Sequence, residues 1–183
     1  MKPGMIIILS VILVFLALGC IGWIISLFNS LIQVKNNIGK AWSNIDVLLL
    51  QRNEEIPKLI DVVKAYGKYE RELLEEIVRL RKKYDTVEET EQKTETENEL
   101  ASTLRQVLGV REGYPDIKAD VLYHKLQERI SKLEDMIADR RAFFNATVKI
   151  YNVQREQFPQ IIFAGMMGYK PHPYLHVPKE ERP

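Results

Sequence analysis

Two hydropathy patterns follow one another along the first 50 residues. Residues 5–28, MIIILSVILVFLALGCIGWIISLF, form a run of 24 uncharged, mostly apolar residues with no polar face. Hydrocarbon about 30 Å thick is crossed by about 20 helical residues, so this run is long enough to span a bilayer once. From Leu31 the pattern changes. Leu31, Val34, Ile38, Ala41, Trp42, Ile45, Leu48 and Leu49 recur three and four residues apart, the spacing of a helix with one buried face. No proline interrupts residues 5–50, so one rigid helix of about 46 residues is expected to rise from the membrane as a stalk.

Asn53-Glu54-Glu55-Ile56-Pro57 reads as a second helix start. Asparagine caps well, acids suit the first turn, and proline is tolerated where N–H groups have no intrahelical partner. The alternative is one helix kinked at Pro57. The second helix is expected to run to about Tyr84, with Leu59, Val62, Val63, Tyr66, Leu73, Ile77 and Leu80 inward. Residues 85–99 hold seven acids and one lysine. They read as a solvated turn and the exposed face of a third helix rather than a metal site, since calcium-loop spacing and its glycine are missing. That helix continues through Leu100, Leu104, Val107 and Leu108 to Gly109, which suits a C′ position.

Gly113-Tyr114-Pro115-Asp116 predicts a turn and a new N-cap at Asp116. Val121, Leu122, Leu126, Ile130, Leu133, Ile137, Phe144, Val148 and Tyr151 then keep one helix face apolar until Pro159. The last residues, 169–183, include four prolines and read as extended. The expected fold is all-α: a transmembrane anchor at 1–28 continuing into an antiparallel up-and-down four-helix bundle over 29–158. An apolar segment and a Pro-rich tail occupy 159–183. The last helix is longer than the extramembrane stalk, which brings its end back to the bilayer surface.

Residues 158–169, FPQIIFAGMMGY, are uncharged but too short to span. They read as a membrane-interface segment, a subunit contact, or the last turns of a core helix. Trp23, Phe158, Ile161, Ile162, Phe163, Met166, Met167 and Tyr169 are the candidate contact residues. Within the apolar run, Gly22, Ser26 and Ser30 are four apart, with Gly19 on the adjoining face. Small residues at this spacing let membrane helices approach closely, so Gly19, Gly22 and Ser26 are candidates for packing between copies.

Composition narrows the function. All 25 acidic residues, and all 26 basic ones except Lys2, follow Phe28, so the remainder is formally neutral. Nucleic-acid binding needs clustered positive charge and is not expected. The lone cysteine, Cys20, excludes a disulfide framework. A signal peptide is the rival for the first 28 residues, but its apolar region spans about 7–15 residues, and here the run continues well past Cys20. Lys2 and the α-amino group oppose Lys35 and Lys40 across the run; Lys58, Lys64 and Lys68 tilt the count toward a cytoplasmic bundle.

Catalytic signatures are missing. There is no Gly-rich phosphate loop and no nucleophile elbow. His124 and Glu128 are four apart, but two ligands do not make a site. His172 and His176 lie in the tail, where helical spacing does not apply. Asp139, Arg140 and Arg141 border the apolar stripe and read as a structural ion pair to another helix, with Glu70 as a candidate partner. No catalytic residue, cofactor site or metal site is expected.

Several blocks together resemble the LemA family. They are Ala41-Trp42-Ser43-Asn44-Ile45-Asp46, Ile56-Pro57-Lys58-Leu59-Ile60 and Val63-Lys64-Ala65-Tyr66 with Glu70. Tyr114-Pro115-Asp116-Ile117-Lys118-Ala119, Leu126-Gln127, residues 134–140, Tyr151-Asn152 and Phe158-Pro159 follow in order. Departures are Gln51-Arg52 where the family has two arginines, Glu54-Glu55 near its usual Asp, and Phe144-Asn145 for its aromatic-Asn pair. The resemblance implies an N-terminal transmembrane helix with a cytoplasmic four-helix bundle and no established enzymatic activity. It also implies association with membrane remodelling or a membrane zinc protease. A non-enzymatic, self-associating scaffold in the cell membrane is the first expectation. An adaptor for another membrane protein is the second, and a metal-dependent or hydrolytic enzyme the third.

Overall fold

The computed structural model describes residues 3–65, 71–87, 90–109 and 120–175. These form five helices and no strand: α1 (Pro3–Ala65), α2 (Arg71–Thr86), α3 (Thr90–Gly109), α4 (Val121–Glu156) and α5 (Gln160–Met166). The chain packs as two compact units. One is Met1–Lys40 with Ala146–Pro173; the other is Ala41–Asn145 with Tyr174–Pro183.

α1 is the main departure from the sequence reading. It is one helix of 63 residues, not a helix of about 46 followed by a second. Pro57 lies inside it. Asn53 is buried rather than capping, and its side-chain amide has no hydrogen-bond partner among the described residues. The reason is the continuity of the apolar stripe. Ile45, Leu48, Leu49, Arg52, Ile56, Leu59, Ile60 and Val63 are all buried at helical spacing. An interior proline costs about 3 kcal/mol. Burying each of Ile56, Leu59, Ile60 and Val63 returns about 1.5–3 kcal/mol, so the helix continues.

In the second unit α1, α2, α3 and α4 share one core. Ile56 and Leu59 of α1, Ile77 and Leu80 of α2, Leu100 and Leu104 of α3, and Tyr123 and Ile130 of α4 belong to it. α2 is strongly amphipathic, with Leu74, Ile77, Leu80 and Tyr84 inward. Val62 and Leu73 pack at the margin, and Tyr66 lies outside the described residues. α4 begins at Val121, the first residue of its apolar pattern. Asp120 Oδ1 accepts the Tyr123 N–H at 2.8 Å as an N-cap. Tyr123 is buried in this capped first turn, while Val121 and Leu122 are exposed. The turn and cap proposed at 113–116, and Glu70, lie outside the described residues.

A second departure concerns charge. The acidic stretch 85–99 is not wholly solvated: Glu97 and Thr96 are fully buried. Glu97 sits one turn before Leu100 and Ala101, on the same stripe. Arg52 of α1 forms ion pairs with Glu97 of α3 and with Glu134 of α4. Arg141, also buried, adds a second positive charge near Glu97. Arg140 and Asp139 are exposed. Glu55 is nearly as buried and pairs with Arg129 at 3.0 Å and Lys58 at 3.1 Å. Tyr84 donates to Asp46 Oδ1 at 2.9 Å, joining α2 to α1.

Burial works against the charge on Arg52, but Glu97 and Glu134 outweigh it and hold the guanidinium protonated. For Glu97 burial dominates and raises its pKa above the usual 4.5, against the pull of Arg52 and Arg141. Removing one partner of a buried pair costs about 3–5 kcal/mol, so Arg52→Ala is expected to lower stability by that amount in urea unfolding. A raised carboxyl pKa means the folded state holds the proton more tightly. Its contribution to stability is thus present below pH 4.5 and lost as pH rises through the folded value. Glu97→Gln is expected to remove that part of the pH slope; an unchanged slope would assign it to other groups.

Candidate membrane and assembly site

The first unit carries the features that bear on function. Among the described residues, α1 contains one stretch long and apolar enough to cross a membrane, and none of that stretch is buried. Ile7, Leu13, Phe15, Leu18, Trp23 and Ile25 are all more than half exposed. Water does not tolerate so continuous an apolar surface on a lone helix. A helix, however, satisfies its own backbone internally and can stand in hydrocarbon without a partner. Gly19, Gly22 and Ser26 lie on this surface, and a Cβ on either glycine would meet nothing within 4 Å. Cys20 is exposed on the same stretch and is not in a disulfide.

The apolar run ends where α5 begins to pack on it. α4 stops at Glu156, and a cis Phe158–Pro159 peptide precedes α5. The Phe163 ring meets Phe28, the last residue of the run, edge to face at a centroid distance of 6.5 Å. Ala164 is buried beside it in sequence, whereas Ile161, Ile162 and Met166 are exposed. α5 therefore turns Phe163 and Ala164 inward and presents uncharged aliphatic side chains outward. Phe158 is also exposed, Met167 half-buried.

α5 ends in a Schellman motif. Tyr169 N–H donates to Ala164 C=O at 2.9 Å and Gly168 N–H to Gly165 C=O at 3.1 Å. The motif requires a left-handed residue, supplied by Gly168 at φ +64°. It delivers Tyr169 to Lys35, whose Nζ lies 4.0 Å from the ring centroid. Lys35 stands two turns beyond Phe28, at a level suited to a cation near a membrane boundary. Tyr169 also packs on Tyr151 at 6.4 Å, and Tyr151 donates to Lys170 C=O at 3.0 Å. Burial raises the Tyr151 pKa, so its hydroxyl stays protonated as a donor.

The tail that follows is tied down by asparagine. Asn152 pairs with both the N–H and the C=O of His172, at 2.9 Å each. In the other unit Asn145 does the same with Leu175, at 3.0 and 2.8 Å. His124 and Glu128 are both exposed on α4. Among the described residues, no three His, Cys, Asp or Glu side chains gather as a metal would need.

The structure thus brings Phe163, Tyr169 and the end of the apolar run together, and leaves Trp23, Phe158, Ile161, Ile162 and Met166 on the surface. The sequence pattern gives Lys35 a place only in the charge count across the apolar run, and gives no contact to Phe28, Asn145 or Asn152. The asparagines left one readable sign: two amide side chains seven apart on a helix, followed by a Pro-rich tail.

Comparison with known sequences gives the family. The model described as LemA family matches residues 41–183. The chain belongs to the LemA family. A LemA protein of Metamycoplasma hominis is 28% identical over 136 residues, 74% of this chain and 59% of that protein. Magnetosome protein MamQ of Magnetospirillum gryphiswaldense is 29% identical over 77 residues, 42% of this chain and 28% of that protein. A MamQ of Paramagnetospirillum magneticum matches at 29% over 76 residues. This LemA chain therefore spans 59% of the first of these relatives and 28% of the two MamQ proteins, less than two thirds of each. Neither name, LemA or MamQ, is that of an enzyme.

Gly168→Ala places a Cβ at a left-handed residue, at a cost of about 1 kcal/mol. The Tyr169 amide is expected to exchange with solvent about fivefold faster by hydrogen–deuterium exchange. Unchanged exchange would mean that the cap does not hold the segment.

Proposed function

We propose that this LemA family member is a non-enzymatic scaffold anchored in the cell membrane by one pass of α1, and that its copies associate there. The extramembrane helices form an antiparallel four-helix bundle on the cytoplasmic side. The observation that carries this reading is the contact of Phe163 with Phe28. If the apolar run lies in hydrocarbon, that contact fixes α5 at the boundary, where the exposed Ile161, Ile162 and Met166 meet lipid or a neighbouring chain rather than water. Lys35 beside Tyr169 supplies the cation and aromatic that such a boundary favours.

Self-association is supported by two surfaces. Gly19, Gly22 and Ser26 allow close approach of a second anchor helix, with nothing from their own chain in the way of the glycines. The aliphatic face of α5 adds a second apolar contact. The large buried charges of the second unit have structural partners on neighbouring helices and need no substrate to account for them.

The full-length chain in lipid nanodiscs tests the reading by native mass spectrometry. Two or more copies per disc are expected, falling at least tenfold in abundance for a double Ile161→Glu, Phe163→Glu variant. Strictly single copies at every protein-to-disc ratio would contradict self-association.

A further inference from the structure

Charge is divided unevenly between the two units. The unit formed by 1–40 and 146–173 holds six basic residues and one acid. The other unit holds the remaining 20 basic residues and 24 acids. A chain of net charge +1 is therefore built from parts of +5 and −4. Of the six cations, Lys2 precedes the apolar run, and Lys35, Lys40, Lys149, Arg155 and Lys170 follow it. The one acid, Glu156, is paired with Arg155 at 2.7 Å. Four lysines thus have no further acid in their own unit to balance them, and all four are exposed. Aromatic contacts bring three of them to one level. Lys35 lies seven residues past Phe28, about 10.5 Å along α1. Tyr169 packs against Lys35 and against Tyr151. Lys170 follows Tyr169, and its carbonyl accepts the Tyr151 hydroxyl; Lys149 lies within a turn of Tyr151 on α4. Lys40 stands about 7.5 Å further along α1.

We propose that these lysines gather anionic phospholipids around the anchor, through the phosphate-bearing headgroups of the leaflet beside Phe28. This rests on the membrane-anchored reading above and names the lipid class that the anchor selects. A headgroup layer extends about 5–7 Å beyond the hydrocarbon. At physiological ionic strength a charge acts over about 8 Å. With Phe28 at the hydrocarbon edge, Lys35, Lys149 and Lys170 fall within that reach, and lysine stems lean toward an interface. Lys40 stands beyond it and adds least. The Tyr169 ring carries no formal charge, so its contact leaves the charge of Lys35 in place. Lipids surround a single-pass helix on every side, so the lysines need to share a level and not a face. Groups of cations next to a membrane span favour anionic over zwitterionic headgroups.

The full-length chain in phosphatidylcholine bilayers tests this by electron spin resonance of chain-labelled lipids. Lipids touching the protein give a motionally restricted signal. Spin-labelled phosphatidylglycerol is expected to be about threefold enriched over spin-labelled phosphatidylcholine in that signal at low salt. At about 1 M salt, where the Debye length is about 3 Å, the ratio should fall close to one. Combining Lys35→Gln, Lys40→Gln, Lys149→Gln and Lys170→Gln should do the same at low salt. Combining Lys35→Arg, Lys40→Arg, Lys149→Arg and Lys170→Arg keeps the charge and should keep the enrichment; circular dichroism checks the helicity of both variants. A restricted signal with a ratio near one for the native chain would overturn the lipid selection and leave the anchor reading standing. Enrichment indifferent to salt and to the lysines would overturn it as well. No restricted signal from either lipid would overturn the selection and the anchor together.

Discussion

One helix has to work in two surroundings. α1 runs unbroken from Pro3 to Ala65, and a helix satisfies its own backbone hydrogen bonds except where Pro57 lacks an N–H. That constraint lets the first part stand bare while the later part joins a protein core. Only the side chains change, from apolar all round to a single stripe beginning at Leu31. Several features of the first unit gather at the point of change. Phe28 receives Phe163, Lys35 receives Tyr169, and the Gly168 cap places the tail's start beside them.

In the second unit the equivalent organising element is charge. Arg52, Glu97 and Glu134 come from three different helices, and the guanidinium reaches both carboxylates. Apolar contacts tolerate a shift of one helix along another, since any methyl group can meet any other. A buried ion pair does not, because a shifted partner leaves an unpaired charge in low dielectric. The triad thus fixes which turn of α3 faces α1 and α4, and the surrounding Ile56, Leu100 and Ile130 supply the bulk of the burial.

The helical class, the apolar run and most of the core stripe were legible in the sequence, because helical periodicity carries them directly. Ile38, Ile45, Leu104, Ile137 and Val148 are all buried as their spacing requires. The misreadings share one cause: local signals were weighed without the tertiary stripe. Asn53, two acids and Pro57 imitate a helix start, yet the stripe passes straight through them. The acids of 85–99 suggest a solvated face when read by density. Read by position, Glu97 falls in register with Leu100 and Leu104 and is buried. Asn145 and Asn152 were visible as residues but not as partners of the tail backbone, each within its own unit. Their partners are backbone groups of an extended segment, and backbone groups leave no mark in a sequence.

The central claim is that α1 crosses the bilayer with α5 at the boundary. Spin-label accessibility in lipid vesicles tests it most directly, comparing molecular oxygen with a water-soluble nickel chelate. A label on the native Cys20, and labels at Ile162→Cys and Ser43→Cys in a Cys20→Ala background, report three levels along the helix axis. Cys20 is expected to be accessible to oxygen and shielded from nickel, Ser43→Cys the reverse, and Ile162→Cys between them. Equal nickel accessibility at Cys20 and Ser43→Cys would contradict a membrane-spanning α1.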